Sequence, residues 1–306
     1  TTSWRDSYEN GISNIPSTSS WYVRQTSAST STIASVDMYY GNLIIENTSG
    51  SAWSTSLAQA FSGSSSAAII KGNFDIGGTN STAPVSFLNS STSAVPVQIK
   101  GNLLVRNSHT LNIGNASNDC SGIKVEGNVQ IDGTLAYGSS SGAARTIYLN
   151  GTSAQTFSGS GTVSVYNLNI SNTSGVTFSR NLTVSNGVTL SDNAQLNLQS
   201  CTLNVLNSWS GGISSSSTVS GTGSVILSGS SQQQLSGKTA FQTLRLNNSS
   251  GAQMQSGASF DIYKALELQS GTFAINGQTL TLRAQSVSNY AYLNNFGGNT
   301  GTDSAP

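Results

Sequence analysis

The feature that most constrains this chain is a phrase that keeps returning. Gly-Asn followed by a short alternating strand occurs in "YYGNLII", "IIKGNFDI", "QIKGNLLV" and "KVEGNVQI". Their glycines are Gly41, Gly72, Gly101 and Gly127, so the spacing is 31, then 29, then 26. A degenerate copy, "FSRNLTV", places Asn181 about two further turns beyond Asn128. Periods of ~20–50 residues mark solenoids, propellers or arrays of small modules. A propeller blade needs four strands and ~40 residues or more. A coil of ~26 residues holding three short strands matches a parallel β-helix better, and an array of immunoglobulin-like sandwiches would repeat nearer ~100.

Apolar and small polar residues alternate over short spans such as Phe74-Asp75-Ile76, Leu182-Thr183-Val184, Leu203-Asn204-Val205 and Leu280-Thr281-Leu282. Period two puts both apolar side chains on one face of a strand. Gly, Asn and Ser bound these spans, as tight turns require. The same strand and turn is restated as "YYGNLIIENTSG" (39–50), "VYNLNISNTSG" (165–175) and "FQTLRLNNSSG" (241–251). A longer offset also appears: Leu168 aligns with Leu244 at 76 and Leu203 with Leu280 at 77, close to three periods of ~26. The expected fold is all-β: a single parallel β-solenoid of about ten coils over 37–288. Leu168, Leu182, Val184, Leu203, Leu244 and Leu280 are expected inside.

Composition excludes several functions. Only 8% of the 306 residues are charged, against roughly 25% ordinarily, with twelve basic and twelve acidic side chains. No basic field exists to hold nucleic acid or an anionic membrane surface. The longest apolar runs are no longer than Ala67 to Ile70, and a spanning helix needs ~20 residues, so no membrane insertion is expected. A start at Thr1, low charge and abundant Ser, Thr and Asn suggest a processed extracellular or cell-surface protein.

The tract "TFSGSGTVSVYNLNISNTSGVTFSRNLTVSNGVTLSDNAQLNLQSCTLNVL", Thr156 to Leu206, resembles the repetitive surface proteins of Bacteroidota exported by the type IX route, including gliding and attachment adhesins. Weaker echoes cover about two thirds of the chain. The resemblance implies secretion, a solenoid body and a structural or adhesive role. The sorting domain of such cargo is not visible after Tyr292. "DSA" at 303–305 resembles the O-glycosylation acceptor of that group, with Ser304 as acceptor. Asn-x-Ser/Thr triplets at Asn47, Asn80, Asn150, Asn181 and Asn248 are what this composition produces by chance.

Parallel β-helices host polysaccharide lyases and hydrolases, which need clustered carboxylates beside Lys, Arg or His. The acids here are spread thinly: Asp75, Asp119, Glu126, Asp132, Asp192, Asp261 and Glu267 each stand nearly alone. Glu126, Asp132 and Asp119 could meet across one rung, but a solvated face explains them as well. His109 lacks a partner at ligand spacing and reads as a surface or corner residue. No catalytic residue, cofactor or metal site is expected, and the chain reads as no enzyme. Lys71, Lys100 and Arg180 precede corners, and Lys124 lies two residues before one, a sparse cationic line able to touch surface glycans. No sustained Thr-x-Thr column suggests ice binding. Cys120 and Cys201, about three coils apart, are expected free and buried, since a disulfide needs Cα atoms within ~7 Å.

Solenoids need capped ends. Residues 1–36, with Trp4, Tyr8, Trp21 and Tyr22, break the repeat and read as a cap or docking segment. Residues 289–306, with Tyr290, Tyr292 and Phe296, read likewise. The expected function is an extracellular structural or adhesive solenoid that associates end to end with copies of itself, or forms a stalk segment of a surface protein. The alternatives are a non-catalytic glycan-binding module, which would align exposed aromatics on one face, and a polysaccharide-degrading enzyme.

Overall fold

The computed structural model describes residues 17–25, 33–34, 39–58, 69–89, 96–113, 122–137, 145–284 and 291–295. Regular structure among them is entirely β-strand, and every strand ladder is parallel. The chain is a parallel β-solenoid. It divides into two units, Thr1–Gly151 with Gln155–Val165, and Thr152–Ala154 with Tyr166–Pro306.

In the first unit each coil lays one strand on each of three faces. One coil runs Ile123–Val125, Val129–Ile131 and Thr134–Tyr137. Along one face Leu43 pairs with Phe74, Phe74 with Leu103 and Leu103 with Val129. Those offsets are 31, 29 and 26, the Gly-Asn spacings read from sequence. Leu43, Phe74, Leu103, Val129 and Phe157 stack inward as one buried ladder. Each such side chain contributes roughly 1.5–3 kcal/mol by leaving water.

The Gly-Asn corner has a physical reason. The Asn73 amide donates to Asn42 Oδ1 at 2.8 Å, Asn102 to Asn73 Oδ1 at 2.8 Å, and Asn128 to Asn102 Oδ1 at 2.7 Å. Thr156 N–H continues the ladder onto Asn128 Oδ1 at 2.8 Å. Corner backbones also touch: Gly101 N–H donates to the Gly72 carbonyl at 2.9 Å. A Cβ on Gly101 would lie 2.6 Å from that carbonyl, so only glycine lets the corners stack. Asparagine then satisfies the amide that the turn exposes.

The second unit has shorter coils. Leu182, Leu203, Val225 and Leu244 pair in sequence, with offsets of 21, 22 and 19. The repeat read from sequence is therefore not uniform, and it fixes a coil count only approximately. Strands Lys238–Asn247 and Ser259–Ser270 each run across two faces through an irregular register. At their level the core turns aromatic. Trp209 packs on Phe241 with centroids 5.1 Å apart, and Phe241 meets Phe260 edge-on at 5.4 Å. The buried indole N–H donates to Thr239 Oγ1 at 3.0 Å, which removes the cost of burying it.

The longer offset, 76 to 77, is real but does not mean stacked positions. Leu168 lies in the face holding Val188 and Trp209, whereas Leu244 lies in the face of Leu203 and Val225. Leu203 in turn maps onto Leu280, which stacks on Phe260 in the remaining face. In coils this short the offset is not a whole number of turns, and it rotates each strand onto another face. The unit repeated is a strand with its turn.

That turn is built on a buried asparagine. Asn47, Asn172 and Asn248, the Asn of the three restated phrases, are at most 1% exposed. Asn47 Nδ2 donates to Ser51 O and Pro84 O, while its Oδ1 accepts from Ser49 N–H. Asn172 and Asn248 accept likewise from Ser174 and Ser250. Each carboxamide replaces the backbone partners that the corner lacks.

Five of the six expected core residues are buried; Leu280 is half-exposed. It stacks inward on Phe260, but among the described residues no strand covers its other edge. Strand pairing also reaches outside 37–288. Ser20–Gln25 runs in parallel register with Asn42–Asn47, and Tyr292–Asn295 pairs with Ala265 through Leu268.

Candidate functional site

Ionisable groups converge at one corner of the first unit. The residue five places after each Gly-Asn glycine stands in one column: Glu46, Gly77, Arg106 and Asp132. Arg24 pairs in register with Glu46 and extends it. The Glu46 side chain is fully buried, accepting from Arg24 Nε at 2.9 Å and from Asn80 Nδ2 at 3.1 Å. Asp75 holds Arg106 in a fork, with Nε to Oδ1 at 2.8 Å and Nη2 to Oδ2 at 2.7 Å. Asp75 Oδ1 also accepts the Gly78 amide at 3.2 Å. The bond to Asp75 and the nearby carboxylates raise the Arg106 pKa further.

His109 completes the corner. Its backbone N–H donates to Arg106 O, and its ring packs where a Cβ on Gly77 would overlap Cδ2. Val85 N–H donates to Nδ1 at 2.9 Å. Burial pushes the imidazole pKa below its ordinary value; Asp75 opposes this and Arg106 adds to it. The corner placement agrees with the sequence reading, but His109 is buried, not at the surface.

The expected meeting of Glu126 and Asp132 does not occur. Glu126 pairs with Lys100, its neighbour one coil back, and Asp132 accepts from Gln130 Nε2 and Ser160 N–H. They sit at opposite ends of strand Val129–Ile131, and Asp119 lies outside the described residues. Lys71, Lys100 and Glu126 share one column, so that edge is not a cationic line. Lys124 lies on the adjoining face with its ammonium 5.6 Å from the Tyr148 ring centroid.

Chemically the corner is saturated. Glu46 and Asp75 are engaged by guanidinium and amide donors, and the imidazole acceptor nitrogen is taken by a backbone amide. Such an arrangement orders a fold; a general acid or base needs a proton within reach of a substrate. Among the described residues no three His, Cys, Asp or Glu side chains are placed to hold a metal ion.

The second unit carries separate pairs, Arg245 Nε to Glu267 Oε2 at 2.5 Å and Arg283 Nε to Asp261 Oδ1 at 2.8 Å. Asp192 Oδ1 accepts the amides of Ser214 and Ser215 at 2.9 and 3.1 Å. The Ser215 amide is the main reason the Asp192 carboxyl pKa falls below the usual range. Cys201 is free but half-exposed, not core; Cys120 lies outside the described residues.

Of the expected docking residues, Tyr22 is exposed and its ring centroid lies 5.5 Å from the Arg24 guanidinium. Trp21 lies on the same strand, in register with Leu43. Tyr292 is exposed on the strand pairing with Ala265. Trp4, Tyr8, Tyr290, Phe296 and Ser304 lie outside the described residues. Asn47 and Asn248 are buried in their corners, where a glycan has no room. The column Gln98, Lys124 and Tyr148 offers one aromatic, and Lys124 sits over its ring.

The charged column was readable in the Gly-Asn alignment itself, five residues after each glycine, where Glu46, Arg106 and Asp132 alternate in sign. Comparison with family models, with curated proteins and with solved structures finds no match for this chain.

Proposed function

We propose that this chain is a structural repeat protein of the cell exterior that works by end-to-end association with copies of itself, not by catalysis. One observation carries the reading. At the last coil of the second unit the inward ladder ends exposed: Leu282 and Leu293 are 42% and 49% exposed. Their partners one coil back, Ile262 and Leu266, are 0% and 4% exposed. Positions built for the core, with an unpaired parallel strand edge beside them among the described residues, suit a further coil. In a second copy, strand Ser20–Gln25 offers such an edge among the described residues, with Trp21 and Val23 in register with Leu43 and Ile45. A contact of this head-to-tail kind does not close and grows into a fibre. Zero net charge puts little long-range repulsion in its way. The saturated corner of Glu46, Asp75, Arg106 and His109 supports a non-catalytic role. The resemblance to secreted Bacteroidota surface proteins favours a surface fibre or a stalk.

Sedimentation velocity over a hundredfold concentration range tests this. Wild type is expected to grow into large species, and a Leu282→Ser, Leu293→Ser double variant to remain small with an unchanged β-sheet circular dichroism spectrum. Wild type that stays monomeric at the highest concentration would favour the stalk reading.

A further inference from the structure

The sole histidine of the chain lies in the first unit, in a turn beside the start of a strand. His109 closes a turn whose backbone is fixed on both sides: its N–H donates to Arg106 O, and its carbonyl accepts from Thr134 N–H at 2.8 Å in the next coil. Ser108, just before it, takes the left-handed backbone conformation with φ of 68°. The ring cannot retreat far without breaking this turn. It lies against Gly77, whose φ of 112° and missing Cβ provide the space.

Nδ1 accepts the Val85 amide at 2.9 Å, so the neutral ring carries its proton on Nε2. A second proton would have to go on Nδ1. It would meet the Val85 N–H donor to donor and bring a full charge into a site only 7% exposed. The charged groups around the ring do not cancel this. Asp75, on the strand beneath, favours an imidazolium, but Arg106 and the Gly78 amide already hold that carboxylate. Arg106 itself repels an imidazolium. Glu46 and Asp132 act on the Arg106 guanidinium.

Val85 is where the chain re-enters a strand after the connection 77–84. That connection is held elsewhere by Asn80 on Glu46 and by Thr82 N–H on Asn47 O at 2.7 Å. The His109 contact is the one among these whose acceptor is an imidazole nitrogen, which once released from burial takes up a proton at about pH 6.5. We propose that His109 is an acid-operated latch: neutral, it locks the connection 77–84 and the start of strand Val85–Asn89 onto the neighbouring coil, and protonated, it lets them go. The released form binds a proton that the latched form excludes. The latch is therefore complete above the ordinary histidine pKa of 6.5 and weakens as pH falls through and below it. Mild acid opens the first unit locally, without touching the second.

The test is amide exchange at Val85, corrected for intrinsic rates, at pH 7.5 and pH 5.0, together with imidazole nitrogen NMR of the single histidine. The latch predicts an Nε2–H tautomer at pH 7.5, an imidazole titrating below 6.5, and Val85 exchange that speeds up roughly tenfold for each pH unit below that value until the folded pKa is reached. His109→Asn keeps an acceptor near the Nδ1 position but does not titrate, so its Val85 protection should be independent of pH. A histidine titrating at or above 6.5, Val85 protection unchanged at pH 5.0, or a His109→Asn protein with the acid response of wild type would each overturn the latch. The imidazole titration is read on wild type alone and stands if the variant does not fold.

Discussion

The two units solve the same problem with different corners. In the first, Gly-Asn turns stack backbone on backbone, and asparagine side chains relay hydrogen bonds from Asn42 to Thr156. Its coils differ in length, with offsets from 31 down to 26 on one face, and charged groups gather at the corner beyond each strand. In the second, the shorter coils leave little room for connections. Amide ladders move onto side chains there, Asn207 Nδ2 to Asn186 Oδ1 and Asn186 Nδ2 to Asn167 Oδ1, and an aromatic core replaces part of the aliphatic one. The lesson is about what fixes a coil. Where connections vary, hydrogen-bonded corners and ion pairs keep the register; where they are short, the core sets it.

That contrast can be broken by substitution. The largest effect belongs to the aromatic core. Trp209→Ala leaves a cavity beside Phe241 and takes one of its partners from the Thr239 hydroxyl, at a cost of about 3–5 kcal/mol. In urea followed by regional hydrogen exchange, protection should fall across the second unit first. Loss confined to the first unit would contradict the assignment.

A smaller effect separates the ion pairs. Glu46→Ala removes a buried acceptor of Arg24 and Asn80 and should cost about 1–2 kcal/mol, because Arg24 is partly exposed and can rehydrate. Glu267→Ala removes a buried acceptor from Arg245, whose own side chain is a third exposed and can rehydrate, and should cost about 1 kcal/mol or less. Equal losses by urea denaturation would erase the distinction between a corner held by charge and one held by packing.

The smallest effect is acid-linked. The folded carboxyl pKa of Asp192 is depressed, so its hold on the loop at Ser214 and Ser215 is full above the ordinary carboxyl range and is lost as pH falls through the lowered value. Amide protection at those serines should fade only below about pH 4, well after the Val85 amide responds. A Ser214 amide that opens at pH 5 would contradict it.

Much of this was legible in the sequence because the Gly-Asn corner is the register itself. Its spacings equal the pairing offsets of Leu43, Phe74, Leu103 and Val129, since a corner that stacks must recur once per coil. The longer offset, from Leu168 to Leu244, misled for the converse reason. It repeats strand plus turn, and in the short coils of the second unit it advances by part of a turn, carrying Leu168 onto the face of Leu203. Leu280 was read as core from its alternation, which shows where a side chain points but not whether a further coil lies over it. Asp75 and Asp132 looked solitary because their partners, Arg106 and Ser160, sit a coil away along the chain. Stacking alone brings each acid to its partner, and only reading each repeat five residues past its glycine would have shown the charged column. The buried asparagines of the three restated phrases looked like ordinary turn residues, since a corner carboxamide facing inward has the same sequence as one facing water.

The account rests on a solenoid that continues from copy to copy through its strand edges. X-ray diffraction from aligned, concentrated protein tests it most directly. The account predicts filaments with a sharp reflection near ~4.8 Å along the filament axis, the spacing of strands stacked coil on coil. The reflection should disappear with the filaments in the Leu282→Ser, Leu293→Ser variant. Protein that stays monomeric under these conditions, or filaments whose ~4.8 Å reflection lies across the axis, would contradict it.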